Sequence, residues 1–196
     1  MPIMSTVEAV FCRSAPWRGF ARHVVLPWAA PPDSVQGQVL EIGGGSGAMA
    51  AGLADRSPGL ALTVVDQDPQ MVIRARRSVA TSPSVKVQQA DVTNLRFADG
   101  SFDTVLSFLM LHHVIEWEAS LAEVRRVLRP GGALVGYDLL DHPVPRLIHR
   151  LDGSEHRLFS TQDLSDALRA AGFEHAEVCA ATGGMWARFR ATTPAE

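Results

Sequence analysis

A chain of 196 residues with 46% hydrophobic and 20% charged side chains suits one globular domain and excludes both disorder and a disulfide framework. Its net charge is −3 with signs mixed along the chain, so it lacks the basic stripe that a nucleic-acid partner requires and none is expected. Two isolated cysteines, no signal-peptide pattern at MPIMSTVEAVFCRS and apolar runs far short of the ~18 residues of a membrane span lead to an expected cytoplasmic chain with no metal and no membrane partner.

In chain order, Trp17, Phe20 and Val24 stand at i, i+3 and i+7, predicting a short helix that buries this face and stops before Pro27. Ala30-Pro31-Pro32, followed by Asp33 and Ser34, reads as a linker. Residues 1–34 are therefore expected to be an N-terminal helical segment ahead of a single domain over 35–196. QVLEI from Gln38 is the first strand; a glycine-rich turn follows, then a helix from about Gly47 to Asp55. ALTVVD is a second buried strand. Asp68 caps the next helix, with Pro69 at its first position and Val72, Ala75 and Val79 on the buried face. SVKVQQAD is the third strand. After the Asp99-Gly100 turn, FDTVLSF is a fourth strand whose near-continuous apolar character suits coverage on both faces. A helix from about Glu116 to Leu128 carries Trp117, Leu121, Val124 and Leu128 on one stripe and is stopped by Pro130-Gly131-Gly132. ALVGYD is the fifth strand. STQDLSDALRAAGF is a capped helix with Leu164, Ala167, Leu168 and Ala171 inward and Gly172 at its end. Two strands follow near 174–179 and 185–191.

VLEIGGGSG runs a strand into a glycine-rich turn that opens a helix, where backbone can approach a nucleotide-like ligand closely. Alone it is ambiguous. Gly43, Gly45 and Ala48 satisfy the dinucleotide pattern G-x-G-x-x-G/A, and Asp66 follows at a spacing that suits a ribose-binding acid. A nicotinamide-dependent oxidoreductase is thus one reading.

Four features point elsewhere, and over roughly residues 38–137 the chain resembles the type 11 class I S-adenosylmethionine-dependent methyltransferases. Glu41 stands two positions ahead of Gly43, where the resemblance implies an acid near the methionine ammonium; a pyrophosphate would be repelled there. ADVTNLRFADGSFDTVLS matches the family's acid after strand three and its "LPF-dG-FD" run, with Asp91, Phe97, Gly100, Phe102 and Asp103 in place and Arg96 substituting for the proline. LMLHHV resembles "vLhHv", and VRRVLRPGGAL is close to "RVLKPGG". The expected fold is α/β: a three-layer Rossmann-like sandwich around a mostly parallel seven-stranded sheet with an antiparallel last strand.

The resemblance implies S-adenosylmethionine as cofactor, S-adenosylhomocysteine as product and a small-molecule O, N or C acceptor. Asp66, with two acceptor oxygens, would take both ribose hydroxyls. Gln67 would cover the adenine or be solvated; Asp91 would take the adenine amine, and Val92 would offer a backbone amide. Gly43, Gly45 and Gly47 would leave room for the methionine portion, with Gly44 more replaceable. Ser107 and Phe108 would meet the amino-acid end, although packing alone also explains Phe108. A base is optional in this chemistry; His112 and His113 are the candidates, with loop packing as their other role. Tyr137 and Asp138 are further candidates to line the acceptor site. The segment 139–159 is long for a strand-to-helix connection and is the candidate lid. His142, His149 and His156 recur every seven residues without a metal pattern, and Arg146 and Arg150 would steer an anionic acceptor or be a solvated face. A cofactor-binding domain without turnover is the remaining alternative, and oligomeric state is open.

Overall fold

The computed structural model describes residues 19–153 and 155–195; Trp17 of the expected first helix lies outside them. The chain enters as a π-helical turn, Ala21–Val25, that continues as α1, Leu26–Ala29. Pro27 does not stop this helix. The Leu26 N–H reaches back five residues to the Ala21 carbonyl, and the widened turn sets Pro27 at the start of a new α-helical segment, where a missing N–H costs no bond. The π-turn also moves the buried face: Ala21, Val25, Leu26 and Ala29 are buried, whereas Phe20 and Val24 are half exposed, the reverse of the i, i+3, i+7 expectation. The connector is not loose either. Ala30 is fully buried, Pro32–Ser34 forms a 3-10 turn, and Ser34 Oγ donates to the Pro31 carbonyl at 2.7 Å.

Seven strands follow: β1 (Gln38–Ile42), β2 (Ala61–Asp66), β3 (Val85–Gln89), β4 (Phe102–Phe108), β5 (Leu128–Leu139), β6 (His175–Ala180) and β7 (Trp186–Thr192). Helices α2 (Ala48–Arg56), α3 (Pro69–Ser78), α4 (Trp117–Val127), α5 (Pro143–Asp152) and α6 (Thr161–Ala170) connect them. The order is β3-β2-β1-β4-β5-β7-β6, with β7 antiparallel to both neighbours and the pairs from β3 to β5 parallel. Strand order therefore reverses between β1 and β4, and the crevice beyond their carboxyl ends is where an open α/β sheet binds ligands.

Two cores make the three layers. On one face Leu40, Ile42, Val105 and Leu134 meet Trp117, Leu121 and Val124 of α4 and Leu164 and Leu168 of α6. On the other, Val39, Val64, Leu106 and Val135 meet Leu26 of α1 and Met49 and Leu53 of α2. Caps fix the helices as expected: Asp68 accepts from Gln70 N at 2.7 Å, and Ser160 and Asp163 form a reciprocal capping box. α4 ends at Val127, ahead of Pro130-Gly131-Gly132, which instead bulges within β5, whose register with β4 jumps from Phe102↔Leu128 to Thr104↔Ala133.

The acids of the 91–103 run divide by position. Asp103 lies at the far end of the sheet from the crevice, accepting from Gln38 N at 2.7 Å and Arg129 Nη1 at 2.6 Å, and so ties three strand ends together. Arg126 clamps the same run, donating to the Leu95 and Phe97 carbonyls and to Glu123 and Asp99. Arg96 is exposed, which explains why proline is dispensable there.

Candidate functional site

The glycine turn is shaped by what surrounds it. Strand alternation sends Leu40 and Ile42 to one core and leaves Glu41 on the opposite side with Val39, 1% exposed beneath the turn. Gly43, Gly45 and Gly47 have φ of 64°, 53° and 78°, a region that glycine adopts without steric cost. Their neighbours differ. A Cβ on Gly43 would sit 1.9 Å from Met110 Cγ and one on Gly47 2.9 Å from Ala75 Cα, whereas one on Gly45 would meet nothing within 4 Å. Only Gly45 thus opens to free space; the other two are glycine because protein packs on them. Gly44 is not the replaceable member, since a Cβ there would fall 2.3 Å from Val64 Cγ1.

Two carboxylates face this crevice. Asp66, at the end of β2, accepts from Gly45 N at 2.8 Å with one oxygen and from Asp68 N at 2.9 Å with the other. Burial raises its pKa, and the Asp68 and Gly45 N–H bonds oppose that rise. Burial, and secondarily the charge of Asp66, pushes Glu41 up to about 8. Its Oε2 is buried with no hydrogen-bond partner among the described residues, an arrangement that asks for a donor or a cation. Gln67 Oε1 is a second orphaned atom of this kind, while the Gln67 carbonyl accepts from Gln89 Nε2 at 2.9 Å. Asp91 folds its own turn, with Oδ1 accepting from Thr93 N and Thr93 Oγ1 at 2.9 and 2.8 Å; Val92 beside it is buried in the core.

The loop after β4 forms the other wall. Ser107 is fully buried, and Phe108 packs on Tyr137 at 5.9 Å between ring centroids, so Phe108 is a core residue. Leu109 then takes φ of 52°, a left-handed conformation that costs a residue with a Cβ about 1–2 kcal/mol. Asp138, 1% exposed at the end of β5, holds this bend. Its Oδ2 accepts from Met110 N at 3.1 Å and Leu111 N at 2.8 Å; its Oδ1 accepts from Leu139 N at 2.7 Å and pairs with His112 Nδ1. The His112 ring lies 4.0 Å from that of His113 and 5.3 Å from that of His149, which stacks on His156 at 4.4 Å. Tyr137 is buried against Trp28 at 5.8 Å, bringing α1 to the same end of the sheet.

Residues 141–158 are an excursion closed at its base by pairing of Leu140 with Phe159 and by Asp141 N donating to the Phe159 carbonyl at 2.9 Å. It contains α5. His142 caps that helix, accepting from Val144 N, and Arg146 is paired with Asp141. Pro145 and His149 face inward, while Val144, Leu147, Ile148 and Leu151 are exposed. Arg157 anchors the far end: its N–H donates to the His112 carbonyl at 2.8 Å and its guanidinium grips both Glu118 oxygens at 2.6 and 2.7 Å.

Residues 40–136 match the family model for the methyltransferase domain. A demethylmenaquinone methyltransferase of Clavibacter sepedonicus is 30% identical over 204 residues, covering 91% of this chain and 80% of that one. The chain belongs to the class I S-adenosylmethionine-dependent methyltransferases. Another relative, the ubiquinone/menaquinone biosynthesis C-methyltransferase UbiE of Paracoccus denitrificans, is 36% identical over 129 residues, or 64% of this chain; the chain spans about half, 51%, of that protein's length. A solved Thermotoga maritima S-adenosylmethionine-dependent methyltransferase, titled a possible histamine N-methyltransferase, superposes with a TM-score of 0.73 at 25% identity over 90% of this chain and 91% of the other.

For a methyltransferase the crevice has the right chemistry. The buried Glu41 with its orphaned Oε2 and the half-buried Asp66 fit a ligand with an ammonium and ribose hydroxyls. Sequence reasoning did not find Met110 as the buttress of Gly43 or Asp138 as the hub of the loop. The available signal was an aspartate ending a buried strand, as Asp66 ends β2. Among the described residues no group of histidine, cysteine and acidic side chains has a geometry that could hold a metal, and no described helix is long and apolar enough to cross a membrane.

Proposed function

We propose that this chain transfers the methyl group of S-adenosylmethionine to a small-molecule O, N or C acceptor by in-line displacement. The observation that carries the reading is the buried Glu41 carboxyl under a glycine turn, with an Oε2 that has no partner within the described residues, beside the half-buried Asp66 carboxylate. In this reading Glu41 holds the ammonium of the cofactor. Asp66 takes the ribose hydroxyls with the lone pairs left over by Gly45 and Asp68, and Gly45 is the open floor. Gln67, Asp91 and the Val92 backbone border the adenine; Gly43, Gly44 and Gly47 shape the turn, and buried Ser107 and Phe108 support the amino-acid end.

The bound cofactor supplies a methyl already activated by its sulfonium, so the protein's task is alignment of donor and acceptor in a dry site. His112 and His113, in the loop held by Asp138, are the side chains positioned to take a proton where the acceptor has one to lose. We assign residues 1–34 and the lid at 139–159 to the acceptor side of a domain over 35–196, with Trp28 against Tyr137 and His149 against His112 supporting that assignment. The relatives named for quinone and demethylmenaquinone chemistry favour a small acceptor; the mixed charge and short apolar runs support a cytoplasmic setting without nucleic-acid or membrane partners. A thermal-shift titration tests the reading: stabilisation by S-adenosylhomocysteine and not by NAD or NADP is expected, and no stabilisation at saturating S-adenosylhomocysteine would reject it.

A further inference from the structure

The geometry points to Asp138 as a positioning residue that fixes His112 in the tautomer with hydrogen on Nδ1, so that Nε2 is the proton acceptor and the substrate is one that loses a proton on methylation, a hydroxyl or a carbon acid. This deepens the methyl-transfer reading and rests on it. Three of the four partners of Asp138 are backbone N–H groups, which only donate. The carboxylate is therefore used purely as an acceptor, and its fourth partner, His112 Nδ1, carries the hydrogen. Nε2 lies on the opposite edge of the ring, and no hydrogen bond within the described residues engages it. The backbone supports the same assignment. Leu109 is held in a left-handed bend, and Met110 and Leu111 are bonded to the carboxylate that holds the imidazole, so the loop and the base are set by one group. The His113 ring packs against that of His112 at a tilt.

The step balances as follows. The electron pair of the acceptor's O–H or C–H group, released as its proton moves to Nε2, forms the new bond to the methyl carbon. The electrons of the carbon–sulfur bond return to sulfur, which leaves as a neutral thioether, and His112 becomes an imidazolium facing the Asp138 carboxylate. An acceptor with no proton to lose, such as a tertiary amine, has no use for this arrangement.

The test uses the full chain and tritiated methyl from S-adenosylmethionine with three probes: catechol as a hydroxyl acid, acetylacetone as a carbon acid, and N,N-dimethylaniline, which has no proton to lose. Expected is transfer to catechol or acetylacetone that Asp138→Asn and His112→Gln each reduce by about 100-fold, with S-adenosylhomocysteine affinity within about threefold of wild type. Transfer to dimethylaniline alone, or transfer to an acid that neither substitution slows, would overturn the proposal. Independently of any acceptor or variant, the nitrogen-15 spectrum of the histidine-labelled wild type reports the tautomer: a His112 with hydrogen on Nδ1 and a bare Nε2 supports it, and hydrogen on Nε2 in the neutral ring overturns it. Failure of the wild type to bind S-adenosylhomocysteine would overturn the cofactor reading beneath, which keeps the two failures distinct.

Discussion

Binding of the cofactor product should expel a proton from Glu41. The carboxyl is pushed from an ordinary 4.5 up to about 8 by burial and by Asp66, so one pH unit below that value about nine tenths of unliganded molecules are protonated. An ammonium seated against Oε2 reverses the preference, because an adjacent opposite charge favours the ionised form. Binding of S-adenosylhomocysteine should then release close to one proton at pH 6, about 0.9 at pH 7 and about 0.5 at pH 8. Isothermal titration calorimetry in buffers of different ionisation enthalpy reads this number from the slope of the observed heat, with Glu41→Gln as the control. Release near zero at pH 7, or equal release from wild type and Glu41→Gln, would refute the pairing. The same group sets a stability slope. Its folded pKa is raised, so its contribution is whole below 4.5 and is lost as pH rises through about 8, by up to roughly 1.4 kcal/mol per pH unit. Chemical denaturation of the unliganded protein should show that decline, and Glu41→Gln should flatten it.

Asp66→Ala removes the acceptor of Gly45 N and the proposed ribose contacts, and should weaken S-adenosylhomocysteine binding by about 1–3 kcal/mol in calorimetry; unchanged affinity would reject the ribose role. Gly44→Ala drives a Cβ to 2.3 Å from Val64 Cγ1 and should lower the urea-unfolding free energy by about 1–3 kcal/mol, a result that no change at all would contradict. Asp103 is held below the ordinary carboxylate range by the Gln38 N–H and then by Arg129. Its stabilisation is therefore present above its unfolded value and lost as pH falls through the depressed one. Asp103→Asn should make unfolding less steep in acid, below about pH 4, while leaving S-adenosylhomocysteine affinity as it is; altered affinity would place Asp103 in the site.

Most of the frame was legible because local rules coincide with tertiary ones. Buried strands of a parallel sheet read as apolar runs, and ALTVVD and FDTVLSF fall on β2 and β4 residue for residue. Asp68 and Ser160 announce helix starts because a side-chain oxygen two or three residues from a free N–H needs nothing distant. The first helix was misread on its inner face for an equally local reason: Ala21–Val25 is a π-helical turn with i to i−5 bonding, which sets Ala21, Val25 and Leu26 inward, and the 3.6-residue periodicity rule does not anticipate it.

The crevice divides in the same way. Glu41, the glycine turn and Asp66 lie on one strand–turn–helix unit and the next strand end, so spacing alone collects them. Which glycine faces open space and which faces protein depends on Met110, Val64 and Ala75, residues brought in from β4's loop, β2 and α3. Asp138 and His112 are 26 positions apart, and His149 comes in from α5. Hydrogen bonds across such distances exist only once parallel strands β4 and β5 are in register, so the sequence alone determined the sheet and the acids we propose for the cofactor, and the tertiary structure alone decided how the side proposed for the acceptor is organised.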